Sequence, residues 1–320
     1  MKAVQLVAPQ RFEFVEIPEP TPKPGEVLVR MEYLAVCGSD LKFYDRTLAP
    51  ADYPLAVGRP CHECVAVVEE SGGSALKAGQ RAIVLTNQGG LMHYQAVPPH
   101  LVIPVPEKDM DPAMWVFCQP MGTVFYALKR LGSVLGQRVV VVGQGPIGLS
   151  FTDLMVRLGA KQVIATDVHD YRLETSRKLG ATATINARRE NVLERVKDLT
   201  GGAMADIAVE ACGLPDTYHQ VFDVIRRLGT VVIFGVPHLE DTFAFDWGMA
   251  YGKLPNIIVT NSMRAGEREG SVADCVDLVA QGRMDLSYLL THRFSWADIP
   301  QAYLMYSRNK EGCLKGIIEV

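Results

Sequence analysis

The stretch with the clearest potential for chemistry is Gly58–Cys64, GRPCHEC, in which His62 and Glu63 stand between two cysteines. Thiolate, imidazole and carboxylate are the side chains that bind zinc in proteins. The CxxC spacing of Cys61 and Cys64 is typical of a structural zinc knuckle, but no second CxxC or HxxxH pair exists to complete four ligands. The stretch therefore contributes to a metal site completed from elsewhere, or it packs without a metal.

Two other stretches in the first part of the chain offer partners for these residues. Cys37 begins the sequence CGSD, and Cys118 and Gln119 begin CQPM. A catalytic zinc takes three protein ligands and keeps its fourth position open for water or substrate. Cys37 and His62 fall on different predicted loops, which suits an open site better than a closed knuckle.

The composition is ordinary for a globular protein with a large core. The 320 residues are 48% hydrophobic and 21% charged, and the formal net charge is −4, so we expect neither nucleic acid nor membrane as a partner. No apolar run approaches the roughly 20 residues of a membrane helix, and the N-terminal stretch is not that of a signal peptide. Seven scattered cysteines, an odd number, favour reduced thiols in a cytoplasmic protein over a disulfide framework.

The elements that must position these residues change in type near residue 118. Before it, short β-branched runs such as Glu26–Met31 and Val65–Glu70 are separated by proline and glycine, which predicts a small barrel or sandwich. After it, apolar strands alternate with helix-length segments, which predicts a parallel sheet covered on both faces. The expected α/β chain has a first part at 1–121, a doubly wound dinucleotide-binding domain at 122–262 and a return to the first domain at 263–320.

A glycine-rich motif follows the first of these apolar strands. Val139–Val142 leads into Gly143, Gly145 and Gly148 at GxGxxG spacing, and a helix is predicted over Leu149–Leu158. The first glycine permits a tight turn, the second lets the backbone approach a pyrophosphate, and the third lets helix and strand pack closely. The helix N-terminus then offers unpaired N–H groups to the phosphates, so the motif predicts a dinucleotide site.

The next strand ends at Asp167, which supplies the second half of this signal. A carboxylate there accepts hydrogen bonds from the adenosine ribose and repels a 2′-phosphate, so it favours NAD over NADP. Arg172 follows five residues later and could stack near adenine or accept a 2′-phosphate, which leaves NADP open. The alternative for Asp167 is a structural one, in which it caps the following helix.

Taken in order, these motifs resemble the zinc-dependent medium-chain dehydrogenases, and especially their sorbitol and threonine dehydrogenase branch. The resemblance runs through Pro24–Val29, Cys37–Asp40, His62-Glu63, Gly79–Arg81, Gly89-Gly90, Gly143–Gly148 and Phe234–Pro237. It implies a GroES-like, partly open β-barrel catalytic domain joined to a Rossmann doubly wound sheet. It also implies an alcohol or carbonyl compound as substrate, and a homodimer or homotetramer.

The resemblance further implies roles for individual residues. Cys37, His62 and Glu63 bind one catalytic zinc, with water as the fourth ligand. Asp40 holds His62 through its other ring nitrogen, and Ser39 takes the proton of the alcohol. The cofactor site of the family corresponds here to Gly143, Gly145, Pro146, Ile147, Gly148, Asp167, Arg172 and Val236.

The sequence departs from the family's pattern at four positions. Cys61 replaces a customary glycine and Cys64 a customary apolar residue; we expect both to pack, while Cys61 stays open as an alternative ligand or a redox-sensitive thiol. Gln119 stands where relatives have cysteine or glutamate, and we expect it to touch the metal weakly or to hold the bound water. Lys42 stands in the place of a histidine that often relays the proton outward.

A separate structural zinc is not expected in this chain. The family carries that ion on a cysteine-bearing lobe, and the residues between Arg81 and Gly89, where the lobe would lie, include no cysteine. Arg264 matches an arginine near the substrate in the sorbitol branch, and His93 is a further candidate for lining the site.

The sequence therefore favours a zinc-dependent oxidoreductase that transfers a hydride between a secondary alcohol, polyol or sugar-type hydroxyl and NAD. One alternative is a zinc-free, NADPH-dependent reductase of the same superfamily, although Cys37, His62 and Glu63 argue against it because such members lose these ligands. The other alternative is a non-catalytic dinucleotide-binding redox sensor that uses Cys61 and Cys64.

Overall fold

The computed structural model describes residues 1–45, 48–87, 89–237, 242–260 and 266–320. The chain divides into two compact units, Met1–Gly122 with Arg264–Val320, and Thr123–Met263. Within the described ranges, no helix is long and apolar enough to cross a membrane.

The first stretch of the chain is built mainly from short strands. They are β1 (Lys2–Ala8), β2 (Arg11–Glu16), β3 (Val27–Ala35), β4 (Glu63–Glu70), β5 (Arg81–Val84), β6 (Tyr94–Val97) and β7 (Val102–Pro104). The 3-10 turns between them lie at Gly38–Asp40, Pro50–Asp52, Pro99–Leu101 and Pro112–Phe117, and the helices are α1 (Leu41–Tyr44) and α2 (Cys118–Leu131). Three of these four turns begin with proline, whose fixed φ suits a first helical position.

The second unit alternates strands and helices. Its strands are β8 (Arg138–Val142), β9 (Gln162–Asp167), β10 (Ala183–Asn186), β11 (Ala205–Glu210), β12 (Ile225–Ile233) and β13 (Asn256–Val259). Its helices are α3 (Pro146–Arg157), α4 (Asp170–Lys178), α5 (Val192–Leu199), α6 (Pro215–Val224) and α7 (Trp247–Lys253). The strands form one parallel sheet in the order β10-β9-β8-β11-β12-β13, so the predicted doubly wound sheet is confirmed.

The last stretch of the chain rejoins the first unit. It comprises α8 (Glu267–Ala280), β14 (Leu290–Ser295), α9 (Ile299–Ser307) and β15 (Lys315–Glu319), with 3-10 turns at Ser287–Leu289 and Trp296–Asp298. The sheet of this unit runs β14-β15-β3-β4-β5-β7, with β6 paired to β3, and β1 pairs with β2 in a separate ribbon. Strands from both ends of the chain therefore lie side by side in one sheet.

The core of the first unit contains both cysteines of GRPCHEC. Cys61 and Cys64 are fully buried in a cluster with aliphatic side chains of the sheet and with Tyr44 and Tyr303. The rings of Tyr44 and Tyr303 lie 5.4 Å apart between centroids, which is within the usual range for packed aromatic pairs. The loop that carries His62 is thus anchored on either side by a buried sulfur.

Candidate functional site

Three side chains with metal-binding atoms converge at one end of β3 and β4. Cys37 lies just beyond β3, and His62 precedes β4, whose first residue is Glu63. The antiparallel register pairs Ala35 with Glu63, which brings the Cys37 loop beside the His62-Glu63 pair. The thiol, imidazole and carboxylate atoms all lie within 4.8 Å of one another.

This donor set fits zinc. Tetrahedral bonds of about 2.0–2.3 Å place ligand atoms about 3.5 Å apart, so only small side-chain adjustments separate these three groups from a coordination shell. Three ligands leave the fourth position open, which is the arrangement of a catalytic rather than a structural zinc. Cys37, His62 and Glu63 form the one such group found in the described part of the chain.

Asp40 supports both His62 and the backbone of Cys37. Its Oδ1 lies 2.9 Å from Nδ1 of His62, while Oδ2 accepts hydrogen bonds from the Cys37 N–H at 3.0 Å and from the Tyr303 hydroxyl at 3.3 Å. Burial disfavours the imidazolium of His62, but the charges of Asp40 and Cys37 outweigh it and raise the pKa of His62. The contact through Nδ1 leaves Nε2 as the nitrogen available to a metal.

Ser39 lies directly against two of these groups. Its hydroxyl is 3.3 Å from the Cys37 sulfur and 3.4 Å from Nε2 of His62. A hydroxyl among ligand atoms is within reach of an oxygen bound at the open position, as proton transfer requires. The predicted relay role of Ser39 thus has suitable geometry and stays a prediction. Lys42 follows on α1 and is partly exposed.

In the second unit, the glycine-rich loop joins β8 to α3. Gly143 has φ +91, a conformation that favours glycine. A Cβ at Gly148 would lie 1.8 Å from the Gly143 carbonyl oxygen, whereas a Cβ at Gly145 would meet no atom within 4 Å. The open space at Gly145 is where the motif lets a pyrophosphate approach the backbone. Helix α3 begins at Pro146 and includes Ile147, earlier than predicted, because proline suits the first helical turn.

Asp167 stands at the end of β9 and is held by the protein on both carboxylate oxygens. Oδ2 accepts from the Gln144 N–H at 2.7 Å, and Oδ1 accepts from the His169 N–H at 2.9 Å. An Arg172 nitrogen lies 3.5 Å from Oδ2, and the guanidinium also contacts the Tyr171 hydroxyl at 3.1 Å. Both the predicted carboxylate and the predicted arginine therefore occupy the same corner of the site.

The remaining groups at this edge come from β11 and β12. Val236 follows β12 and is 41% exposed. Glu210 ends β11 and was not singled out from the sequence; its Oε1 accepts from the N–H groups of Cys212 and Gly213 and from the Thr217 hydroxyl. Because parallel strands all end at the same edge, the loops after β8, β9, β11 and β12 form one continuous carboxyl-edge surface.

Two stretches of the chain match known protein families. Residues 23–107 match the model of the alcohol dehydrogenase GroES-like domain, and residues 146–280 match that of the zinc-binding dehydrogenases. The chain belongs to the zinc-binding medium-chain alcohol dehydrogenases. It is an NAD(P)-dependent enzyme that acts on a CH–OH group. The first unit is the GroES-like domain and the second is the Rossmann domain.

Relatives of this dehydrogenase cover nearly its whole length. An alcohol dehydrogenase of Cupriavidus necator is 28% identical over 98% of this chain and 97% of its own. An L-threonine 3-dehydrogenase of Shewanella baltica is 26% identical over 95% of each chain. Among solved structures, galactitol-1-phosphate dehydrogenase from Escherichia coli has a TM-score of 0.87 at 21% identity and covers 100% of both chains.

Cys61 and Cys64 pack against each other and against the backbone of Gly90. A Cβ on Gly90 would lie 2.5 Å from the Cys64 sulfur and 3.1 Å from the Cys61 sulfur. The side-chain hydrogen bond between Cys61 and Cys64, and burial, raise the pKa of Cys61. Because a metal ligand or a redox-active cysteine must reach the thiolate form, this environment favours packing for Cys61.

Four residues considered in the sequence analysis remain, and three of them lie in the described part of the chain. Gln119 is buried in the first turn of α2, and Cys118 pairs by a thiol hydrogen bond with Cys275. His93 packs edge-on against Trp296 at 4.9 Å between ring centroids. Arg264 lies outside the described residues.

Sequence reasoning missed two buried cations of the dehydrogenase. Arg268 on α8 lies 3.4 Å from the Leu85 carbonyl and from Asn87 Oδ1, and its Nε has no partner in the described part of the chain. Lys315 opens β15 and contacts Glu63. Neither position belongs to a short motif, so only the fold identifies them.

Proposed function

We propose that this dehydrogenase oxidises a secondary alcohol, polyol or sugar-type hydroxyl with NAD, using one zinc ion on Cys37, His62 and Glu63. The convergence of those three ligand atoms within 4.8 Å carries the proposal. Two relatives support the proposal. One is named an L-threonine 3-dehydrogenase and the other a galactitol-1-phosphate dehydrogenase, and both named compounds carry a hydroxyl group. The proposed branch is that of the sorbitol and threonine dehydrogenases, without a structural-zinc lobe.

The chain's own residues orient the reacting groups. A zinc ion held by Cys37, His62 and Glu63 would supply Lewis-acid polarisation of the alcohol oxygen, and a nicotinamide cofactor would supply the hydride acceptor. Asp40 fixes the ring of His62 so that Nε2 faces the metal position. Ser39 relays the alcohol proton, taking it up while it gives its own hydroxyl proton to solvent; its hydroxyl lies against both Cys37 and His62. Gln119, uncharged where relatives carry an anion, leaves the ligand set less negative and so favours the deprotonated alcohol.

We propose NAD as the preferred cofactor because Asp167 places a carboxylate at the end of β9. Its negative charge disfavours a 2′-phosphate. The nearby guanidinium of Arg172, at 3.5 Å, partly offsets that repulsion, so we expect weak rather than absent use of NADP.

We also propose a homodimer or homotetramer that meets through the Rossmann sheet. Strand β13 is an edge of that sheet in the described residues, and Val259 on it is 65% exposed. Trp247 and Tyr251 on α7 are 68% and 80% exposed. An edge strand beside exposed aromatic side chains is typical of a surface that pairs with another chain. The cytoplasmic location expected from the cysteines stays a prediction.

The deciding experiment is metal analysis of the purified protein together with NAD⁺ and NADP⁺ assays over a panel of alcohols and polyols. We expect one zinc per chain and NAD⁺-linked turnover. Cys37→Ser should lose the zinc and the activity, whereas Cys275→Ser, which alters a buried thiol elsewhere, should keep both.

Other outcomes separate the alternatives. Fully active protein without zinc would point to the NADPH-dependent reductase. Dinucleotide binding with no turnover on any alcohol would point to the redox sensor. A fully zinc-loaded Gln119→Glu variant as active as the wild type would remove the role proposed for the amide.

A further inference from the structure

Lys315 is a lysine with almost no solvent contact beside the metal-binding group. Its side chain is 2% exposed, and that of Glu63 is fully buried. The ammonium lies 2.6 Å from Oε1 and 2.5 Å from Oε2 of Glu63, and it donates a third hydrogen bond to the Val36 carbonyl at 2.9 Å. All three donor positions of the ammonium are therefore used.

The sheet explains how a residue near the C-terminus reaches this place. Strand β3 lies between β15 and β4, and Ala35 pairs with Ile317 on one side and with Glu63 on the other. Lys315 is two residues before Ile317, so its side chain lies on the same face of β15. It crosses the end of β3 to meet Glu63, and the Tyr306 ring lies 5.9 Å from the ammonium.

We propose that Lys315 is a positioning residue of the zinc site, which fixes the Glu63 carboxylate in the orientation from which it binds the metal. This inference rests on the proposed function, in which Glu63 is a zinc ligand. Lys315 touches neither substrate nor cofactor in this proposal and acts only through Glu63.

The chemistry of the carboxylate allows both contacts at once. A carboxylate has about four lone-pair positions on its two oxygens, and the ammonium occupies one on each. The remaining positions can bind a metal without breaking either contact with Lys315. A carboxylate held at both oxygens also cannot rotate freely, so it loses little conformational freedom when the metal binds.

The charges of the group also support this role. The formal charges of Cys37 and Glu63 as ligands would balance a divalent zinc ion, and Lys315 is the buried cation paired with Glu63. Removing one partner of a buried ion pair is costly, so the two short contacts with Lys315 hold the Glu63 carboxylate in place. The carboxylate that Lys315 holds lies within 4.8 Å of the ligand atoms of Cys37 and His62. This position beside two other metal-binding groups favours a role in the metal site over one in the fold alone.

The test measures zinc affinity of the metal-stripped protein by titration against a competing chelator. Lys315→Met removes the charge at similar length, and we expect about 10- to 100-fold weaker zinc binding, the usual effect of losing a group that orients a ligand. Lys315→Arg keeps the charge and should recover most of the affinity. With cobalt in place of zinc, the absorption bands of the Lys315→Met protein should shift, because the Glu63 ligand is displaced.

A double-mutant cycle separates this role from a structural one. If Lys315 acts through Glu63, Lys315→Met should change zinc affinity little in a Glu63→Gln background. The double variant also removes both buried charges, so we expect it to fold even where Lys315→Met alone is unstable. Equal losses in both backgrounds would overturn the proposal, and so would tighter zinc binding by Lys315→Met, which would mean that the ammonium competes with the metal.

Failure of the inference is distinguishable from failure of the proposed function. Wild-type protein that binds no zinc, or binds it equally after Cys37→Ser, removes the zinc site itself. Wild-type protein that loses zinc through Cys37→Ser, but binds it unchanged after Lys315→Met, overturns only the role of Lys315.

Discussion

The two candidate sites of this dehydrogenase are assembled in opposite ways. The dinucleotide site is local, because one strand, one loop and the end of the next strand supply Gly143–Gly148 and Asp167. The metal site is built from segments far apart in the sequence: Cys37 after β3, His62 and Glu63 at β4, and Lys315 on the last strand. The local site is organised by backbone conformation, and the distant one by buried charge.

This difference decides what holds each site in shape. In the glycine-rich loop the constraint is steric, since an added methyl group at Gly148 would overlap the Gly143 carbonyl. In the metal site the constraint is electrostatic, since Asp40 and Glu63 are fully buried carboxylates that need partners. The first site should therefore be sensitive to small changes of volume, and the second to changes of charge at constant volume.

Gly148→Ala is expected to have the largest effect, and it tests whether the glycine-rich loop is held by steric constraints. The new Cβ would lie 1.8 Å from a backbone oxygen that cannot move away, so we expect a loss of about 3 kcal/mol in unfolding free energy and loss of cofactor binding. Urea unfolding and titration of NADH fluorescence measure the two effects.

Gly145→Ala is the matched control for that variant. No atom lies within 4 Å of its added Cβ, so stability should change by less than about 0.5 kcal/mol, while cofactor binding weakens because the pyrophosphate can no longer approach. Equal stability of the two variants would contradict the steric account.

The electrostatic side is tested by Asp40→Asn, which changes charge at nearly constant volume. The amide orients and polarises His62 less well than the carboxylate 2.9 Å away, so zinc affinity should fall about 10- to 100-fold. Asp45→Asn alters a carboxylate that bonds Ser307 and Gln10 instead and should leave zinc affinity unchanged. Chelator competition gives both values, and unchanged affinity in Asp40→Asn would refute the support role.

Gly90→Ala tests whether a steric constraint also operates in the unit that contains the metal site. The added Cβ would meet the sulfur of Cys64 at 2.5 Å, so we expect a loss of about 2 kcal/mol in unfolding free energy. Cys64→Ala in the same chain should recover part of that loss by making room. Thermal unfolding of the single and double variants measures it, and no recovery would show that the two cysteines do not set the space at Gly90.

The smallest effect is expected at Asp167, a charged residue beside the glycine-rich loop. Asp167→Asn keeps an acceptor for the Gln144 N–H but removes the negative charge. We expect the preference for NAD over NADP, expressed as a ratio of kcat/KM values, to fall about tenfold, or about 1.4 kcal/mol. Arg172→Gln should shift the ratio in the opposite direction. A ratio that does not move in Asp167→Asn would assign discrimination to other residues.

The sequence was informative where the chemistry is local. The GxGxxG loop, Asp167 and the parallel sheet follow from motif and periodicity, because each is determined within a few tens of residues. The zinc donors could be named only because CGSD and His62-Glu63 resemble a known family. Lys315 and Arg268 could not be found, since a single lysine or arginine carries no local pattern and its burial depends on pairing between distant strands.

The buried amide of Gln144 has a consequence for motion. Its Oε1 accepts from Thr152 on α3 and Ser176 on α4, its Nε2 donates to Val141 on β8, and its N–H donates to Asp167. The side chain and backbone of this one residue thereby connect the glycine-rich loop to two helices and to Asp167. Amide protons across these segments should exchange with solvent in a single shared opening event rather than one by one. We therefore expect the surface around the glycine-rich loop to open and close as a unit.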